Sequence, residues 1–115
     1  MTIPQHFPLA AKLPVYCLGW VDNDAFVYAG GGGKSRTGVG NYLRVIHLSS
    51  HASSSSDTAV VAEMKLSSDE DAPMAMAVDA QKTKTIVLGI NEPDEKKAVN
   101  NRHLRIVGFQ RDGKM

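Results

Sequence analysis

Residues 15–29 read VYCLGWVDNDAFVYA, two runs of apolar residues separated by a short polar segment. Residues 15–21 and residues 25–29 are apolar at nearly every position, which is typical of strands that are covered on both faces. The segment between them is Asp-Asn-Asp, and these side chains favour tight turns because they bond to the nearby backbone. The stretch therefore predicts two inner antiparallel strands joined in a hairpin.

Two more strands are expected after this hairpin. Residues 42–48 are rich in β-branched and aromatic types, and Arg44 and His47 interrupt the run as they would on a partly exposed strand. Residues 60–66 alternate apolar and charged positions, which is typical of an outer strand with one face in solvent. The polar, serine-rich residues 49–57 are predicted to be a flexible connection. Four antiparallel strands in sequence follow from this pattern.

The strand pattern begins again in the second half of the chain. Residues 101–107, NRHLRIV, resemble residues 41–46, NYLRVI, and residues 86–89 resemble residues 26–29. The members of each pair are offset by roughly 60 positions, a period that indicates a structural repeat. Three further strands are predicted in the places of the first three, over residues 73–78, 85–90 and 102–109.

A unit of four strands that recurs near this period is typical of the blades of a β-propeller. The predicted fold is all-β, with one complete four-stranded blade over residues 14–66 and three strands of a partial blade over residues 72–110. Helical periodicity is absent. Repeat folds need about three or more units to bury a continuous core, and an unfinished blade exposes a strand edge. Residues 1–115 are therefore expected to be part of a longer propeller, or to depend on other chains.

Composition and charge argue against several classes of protein. The chain is 43% hydrophobic and 22% charged, as in a globular domain, and its net charge of +1 favours neither nucleic acid nor an anionic membrane surface as a partner. Cys17 is the single cysteine, which excludes an intrachain disulfide and a multi-cysteine metal site, and it is expected to be a small core residue. No segment has the roughly 20 apolar residues that a membrane-spanning helix needs.

The stretch AGGGGKSRTGVGN, residues 29–41, is the main candidate for function. Its six glycines allow backbone angles that a side chain would forbid. Ordering such a loop costs conformational entropy, which favours a specific backbone shape over a plain connection. Glycine carbonyls and the Asn41 side chain can together surround a monovalent cation, and bare backbone can meet another protein closely.

An alternative interpretation of the same stretch is a nucleotide-binding phosphate loop. Gly33, Lys34 and Ser35 match the end of the motif G-x-x-x-x-G-K-[ST], but Tyr28 stands where the first glycine belongs. Residues 37–40 are poor helix formers at the place where a helix must begin to hold phosphate. Direct nucleotide binding is therefore not expected, and an NTP-binding enzyme is kept only as an alternative.

The other polar groups predict no catalytic or metal centre. The four histidines lack the close spacing of zinc ligands, and no serine, histidine and carboxylate arrangement can be assembled for hydrolysis. The acidic residues 69–71 are interpreted as a solvated loop, with a face for a basic partner as the alternative.

The glycine block resembles a known family. Four glycines at residues 30–33, followed by Gly-Val-Gly-Asn at residues 38–41, are similar to the endoplasmic-reticulum exchange factors that activate Sar-type small GTPases to start COPII vesicle budding. Further motifs extend the resemblance over nearly the whole chain: the Tyr16 strand, Asn23-Asp24 before Phe26-Val27-Tyr28-Ala29, Asp71-Ala72-Pro73, and Asn101-Arg102-His103-Leu104-Arg105.

The resemblance implies a seven-bladed WD-repeat-like propeller, of which this chain is the amino-terminal part. It implies a guanine-nucleotide exchange factor, which performs no covalent chemistry and binds its GTPase best when nucleotide is absent. The full-length protein is then expected on the cytosolic face of the endoplasmic reticulum membrane, with an anchor that this chain lacks. The alternative is a propeller scaffold or interaction module without exchange activity.

The resemblance also assigns roles within the loop. Asn41 matches the functional asparagine of the family and is expected to push into the switch region of the GTPase, so that alanine there leaves folding nearly intact and strongly reduces exchange. Lys34, Ser35 and Arg36 vary in the family and receive no role. The expected contact residues are Gly38, Val39, Gly40 and Asn41. The expected potassium site is formed by Gly30, Gly31, Gly32, Gly33, Gly38 and Asn41.

Overall fold

The computed structural model describes residues 6–33, 38–67, 70–91 and 103–110. All seven predicted strands are present in these segments, and each ends within two residues of its predicted bounds. The strands are β1 (Val15–Asp22), β2 (Ala25–Gly30), β3 (Asn41–Leu48), β4 (Thr58–Leu66), β5 (Ala75–Asp79), β6 (Thr85–Gly89) and β7 (Leu104–Gly108).

The strands form two antiparallel sheets in which neighbours in sequence are neighbours in space. The first sheet has the order β1-β2-β3-β4 and the second has the order β5-β6-β7. The predicted repeat relates equivalent strands, since β3 and β7, which carry the similar sequences, are each the third strand of their sheet. The all-β prediction is therefore confirmed, while the arrangement of the sheets as blades of a propeller stays a prediction.

The connections follow the local chemistry of their residues. Residues 23–24 turn between β1 and β2, as expected, and Trp20 lies opposite Phe26 with their rings edge to face at 6.0 Å. The 49–57 connection is more ordered than predicted, because it contains a 3-10 turn in which the Asp57 carboxylate accepts hydrogen bonds from two backbone amides. Within the segments that are described, no helix is long and apolar enough to cross a bilayer.

One apolar core lies between the two sheets. Val27 and Leu43 from the first sheet and Ile86 and Leu88 from the second are completely buried in it. The sheets lie close together at Gly19 of β1, where an added Cβ would lie 2.8 Å from a methyl carbon of Val78 on β5. The second sheet is therefore packed directly against the first.

The outward faces of both sheets carry large apolar side chains. Leu18 and Trp20 on β1 are 65% and 56% exposed, and Leu104 and Ile106 on β7 are 68% and 74% exposed. The expectation that β1 is covered on both faces is wrong for this chain, because only its inward face packs against the second sheet. β4, expected to be an outer strand with one face in solvent, is an edge strand whose charged side chains are exposed.

Candidate functional site

The glycine-rich stretch joins β2 to β3, and the structure describes both of its ends. Antiparallel pairing holds the ends side by side, since Gly30 at the end of β2 lies opposite Tyr42 near the start of β3. Residues 34–37 lie outside the described segments, so the Lys34-Ser35 part of the phosphate-loop motif lies there too. The described ends of the loop, residues 30–33 and 38–41, form its base, and we call them the glycine-loop base.

Gly30 and Gly31 of the glycine-loop base have no room for a side chain, and a Cβ on Gly30 would lie 1.8 Å from the carbonyl oxygen of Pro14. Gly31 has a φ of +143° and Gly33 has a φ of +62°, a region that side chains disfavour. A Cβ on Gly31 would also overlap the Oδ1 atom of Asn41 and the carbonyl of Gly40. Two oxygen atoms therefore lie against the α-carbon of Gly31, and only glycine leaves room for them.

Backbone hydrogen bonds fix the first half of the base. The amide of Gly31 donates to the carbonyl of Pro14, just before β1, at 2.9 Å. The amide of Gly32 donates to the carbonyl of Val39 at 3.3 Å, which closes the base of the loop. The ends of the loop are thus held to each other and to the segment that precedes the first sheet.

Asn41 is the first residue of β3, and its side chain is buried, with 1% exposure. Its Oδ1 atom accepts a hydrogen bond of 2.9 Å from the amide of Gly33. Its Nδ2 atom donates to the carbonyls of Ser67 at 2.9 Å and Glu70 at 3.1 Å, with a longer contact of 3.5 Å to the carbonyl of Asp71. A carboxamide accepts on one side and donates on the other, so Asn41 joins the loop to the chain that follows β4.

That chain segment, called here the inter-sheet connection, runs from Ser67 to Met74, and its residues 68–69 lie outside the described part. The carboxylate of Glu70 forms an ion pair with Arg105 of β7. The amide of Asp71 donates to the carbonyl of Asn91, just after β6, at 3.3 Å. The inter-sheet connection is therefore tied to the second sheet at the same place where it receives Asn41.

Comparison with known proteins bears on this loop. No protein-family model matches the chain. Over 103 residues it is 33% identical to a protein of Candida glabrata named guanine nucleotide-exchange factor SEC12. The chain is SEC12-like. The alignment covers 88% of this chain and 21% of that relative, so the chain spans about one fifth of the length of the SEC12 protein that it matches. The resemblance to an exchange-factor family is thereby confirmed.

The SEC12-like chain places its predicted contact residues in two different environments. Gly38 is exposed, with a φ of +83° and open space around it, and Val39 and Gly40 are partly exposed. Asn41 differs, because its side chain is enclosed and a push of that side chain on a partner would break its hydrogen bonds within the chain. The expectation that alanine at this position leaves folding nearly intact is therefore revised, because the side chain supports the glycine loop from within.

Sequence reasoning missed the residues that support the loop from outside it. Pro14, Ser67 and Glu70 offer backbone carbonyls, which carry no signal in the side-chain pattern. Glu70 belongs to the acidic residues 69–71, interpreted as a solvated loop, but its side chain is 13% exposed and paired with Arg105. In the sequence, Arg105 stands out only as part of the motif that residues 101–107 share with residues 41–46. Arg105 corresponds in the repeat to Arg44, which is also paired with a glutamate, and this correspondence is the signal that could have suggested a carboxylate partner.

The glycine-loop base offers oxygen atoms as ligands. Asn41 Oδ1 and the carbonyl of Gly40 converge on Gly31, and hard cations prefer oxygen ligands of this kind. Among the residues that the structure describes, no group of three or more His, Cys, Asp and Glu side chains is placed to hold a metal ion. A cation at the glycine-loop base would therefore be held mainly by carbonyl oxygens, and the potassium site stays a prediction.

Two further polar groups lie away from the loop. Arg44, on the outward face of β3, donates to Glu63 at 2.6 Å, to the carbonyl of Ala11 at 2.8 Å and to the Tyr28 hydroxyl at 3.2 Å. The bond with Tyr28 contributes most to raising the pKa of the guanidinium. Cys17 packs against the core, as expected, and burial raises the pKa of its thiol, which disfavours a nucleophilic role.

Proposed function

We propose that this chain is part of a guanine-nucleotide exchange factor for a Sar-type small GTPase, and that its glycine loop is the element that acts on the GTPase. In this proposal, GDP release starts COPII coat assembly in transport from the endoplasmic reticulum to the Golgi. The observation that carries the proposal is the buried Asn41 side chain, which braces a glycine-rich loop in a chain related to an exchange factor.

The mechanism is differential binding rather than covalent chemistry. A protein that binds the nucleotide-free GTPase more tightly than the GDP-bound form must weaken GDP binding by the same factor. Such an element acts best when it is ordered beforehand, since less conformational entropy is then lost on binding. The hydrogen bonds at Gly31, Gly33 and Asn41 supply this order, and Gly38, Val39 and Gly40 present the accessible backbone. Cellular GTP then fills the emptied site.

The residues of the glycine-loop base fit a potassium ion, which we include in the proposal. The candidate ligands are oxygen atoms, and two of them, from Gly40 and Asn41, already converge beside Gly31. A bound potassium ion would offset the mutual repulsion of convergent carbonyl dipoles and stiffen the loop. The proposed site draws on Gly30, Gly31, Gly32, Gly33, Gly38 and Asn41.

The proposed architecture is a seven-bladed propeller in which the two sheets are consecutive blades. Consecutive antiparallel meanders of four and three strands that share one core support this arrangement. The exposed apolar side chains of Leu18 and Trp20 on one outward face, and of Leu104 and Ile106 on the other, are placed where neighbouring blades would cover them. In the full-length protein, an anchor outside this chain would hold the propeller on the cytosolic face of the endoplasmic reticulum.

The test is release of a fluorescent GDP analogue from a Sar-type GTPase, in potassium and in sodium buffers. The Gly31→Ala variant crowds the two oxygens beside Gly31, whereas Gly108→Ala adds a Cβ in open space on β7. We expect the unmodified chain and G108A to accelerate release in potassium, and G31A to lose most of this effect. Equal acceleration by G31A and G108A would remove the loop from the mechanism.

The exposed apolar faces of both sheets favour one alternative, an interaction module without exchange activity. The same measurement separates the two functions. A module of this kind would bind a partner through its sheets, leave GDP release unchanged, and bind equally well with the G31A substitution.

A further inference from the structure

We infer that Glu70 and Arg105 form a positioning pair for the glycine loop, although they lie outside the loop. Their ion pair holds the inter-sheet connection so that its carbonyls can receive Asn41, which in turn holds Gly33. The inference deepens the proposed function, and its relevance to exchange rests on that function. Its structural content stands on the contacts alone.

The first step is the placement of Arg105 on the packed face of the second sheet. Leu104 and Ile106 of β7 point outward and are exposed, so Arg105 and Val107 lie on the opposite face, which packs toward the first sheet. A charged side chain at such a place needs a partner, because removal from water without one is costly. Glu70, whose side chain is 13% exposed, supplies such a partner.

The second step is the double attachment of Glu70. Its carboxylate is held by Arg105, and its backbone carbonyl accepts the Nδ2 atom of Asn41 at 3.1 Å. Movement of this residue away from β7 would therefore also remove an acceptor from Asn41. The longer contact of Asn41 to the Asp71 carbonyl depends on the same backbone.

The third step is the effect on the loop. Asn41 Oδ1 accepts from the amide of Gly33, so the orientation of the carboxamide decides whether that amide is paired. A glycine-rich segment loses much conformational entropy when it is ordered. Each contact fixed at its base reduces the number of other conformations that the loop can adopt. The second sheet thus contributes to the order of a loop that belongs to the first.

The experiment measures amide hydrogen exchange by NMR in the 115-residue chain. The variants are Arg105→Gln, Glu70→Gln and the double variant. The matched control, Glu63→Gln, removes the carboxylate of the Arg44 pair on the outward face of the first sheet. The readout is the exchange rate of the Gly33 amide relative to that of Val27, which lies in the buried centre of β2.

Each single variant is expected to raise Gly33 exchange about tenfold or more relative to Val27, because the loop base opens locally. The double variant is expected to match the single variants, since both remove the same interaction. Glu63→Gln is expected to leave the ratio unchanged. The inference is overturned if Gly33 exchange in R105Q stays within about twofold of the unmodified chain, if the single effects add, or if E63Q has the same effect.

Global unfolding is distinguished by a milder variant. If R105Q raises the exchange rates of the Gly33 and Val27 amides together, the chain has unfolded globally. The Arg105→Lys variant is then measured, because lysine keeps the positive charge but loses the forked geometry of the guanidinium. In R105K, a higher exchange rate at Gly33 alone supports the positioning pair, and an equal increase in the exchange rates of Gly33 and Val27 overturns it.

Release of the GDP analogue, measured on the same variants, separates this inference from the proposed function. Unchanged Gly33 protection overturns the positioning role, whatever the release rate. Increased Gly33 exchange with unchanged GDP release supports the positioning role and overturns the proposed function of the loop.

Discussion

The amide of Gly33 donates a hydrogen bond of 2.9 Å to the side-chain oxygen of Asn41, across the two ends of the glycine loop. The remaining polar atom of Asn41 is used by carbonyls of the inter-sheet connection. One side chain therefore joins the loop, the first sheet and the segment that leads into the second sheet. This relationship explains why an asparagine at the start of β3 is completely enclosed.

Replacement of Asn41 by alanine is expected to destabilise the chain by about 2–4 kcal/mol, because it removes the acceptor of the buried Gly33 amide and the donor to two backbone carbonyls. Asn41→Asp keeps the acceptor for Gly33 but sets an oxygen against the carbonyls of Ser67 and Glu70. Its destabilisation is expected to be smaller at pH 4 than at pH 8, since a protonated acid regains one O–H donor. Urea unfolding at both pH values measures this, and equal stability of N41A and the unmodified chain would contradict the bracing role.

Replacement of Gly19 by alanine is expected to destabilise the chain by about 1–2 kcal/mol, because the new Cβ overpacks the contact between the sheets. That Cβ would lie 2.8 Å from a methyl carbon of Val78, whose branched side chain has few alternative positions. Gly108→Ala is the matched control, since nothing lies near its added Cβ. Thermal unfolding of both variants tests the packing, and a G19A variant as stable as G108A would mean that the sheets do not pack as described.

The loss of folding stability at acidic pH is expected to depend in part on Asp57. Hydrogen bonds from the backbone amides of Ser53 and Ser54 hold the pKa of its carboxyl below the ordinary value of 3.8. Because the folded-state pKa is depressed, this contribution is fully present above pH 3.8 and is lost as the pH falls through the lower, folded value. The stability difference between the unmodified chain and Asp57→Asn should therefore shrink below this pH in unfolding curves. A difference that stays constant down to strongly acidic pH would rule out this linkage.

Cys17 is expected to react slowly with iodoacetamide in the folded chain. Burial raises the pKa of the thiol, so less of the reactive thiolate is present at a given pH than in the unfolded chain. The alkylation rate near pH 8 should rise on addition of urea and should do so more in G19A, whose substitution lies on the same strand. A folded-state rate equal to that of the urea-unfolded chain would show that the first sheet does not protect this residue.

Much of the fold was predictable because strands and turns depend on local pattern. Period-2 alternation predicted β4, and the Asp-Asn-Asp segment predicted the turn between β1 and β2. The coverage of β1 was not predictable in this way, since an apolar run does not say whether a second layer is present on each face. The order within residues 49–57 was missed because the serine-rich composition hides the Asp57 hydrogen bonds.

The candidate site, like the fold, was only partly predictable from the sequence. The glycine block and Asn41 could be singled out because their composition is unusual, and Gly30 and Gly31 indeed leave no room for a side chain. The inward orientation of Asn41 could not be foreseen, because its acceptors lie 26 and 29 residues away and are backbone carbonyls. Such contacts leave no trace in local periodicity.

The sequence by itself determined where the strands run, that they repeat, and where the chain carries its glycine-rich loop. The strands and the loop depend on the preferences of single residues and on spacings of two to four positions, whereas the repeat is visible as similar segments offset by roughly 60 positions. Only the tertiary structure decided that Asn41 faces inward and that Glu70 meets Arg105, 35 residues further along the chain. The physical reason is that packing the sheets on one core sets which distant groups are desolvated together, and desolvated polar groups must then find partners in each other.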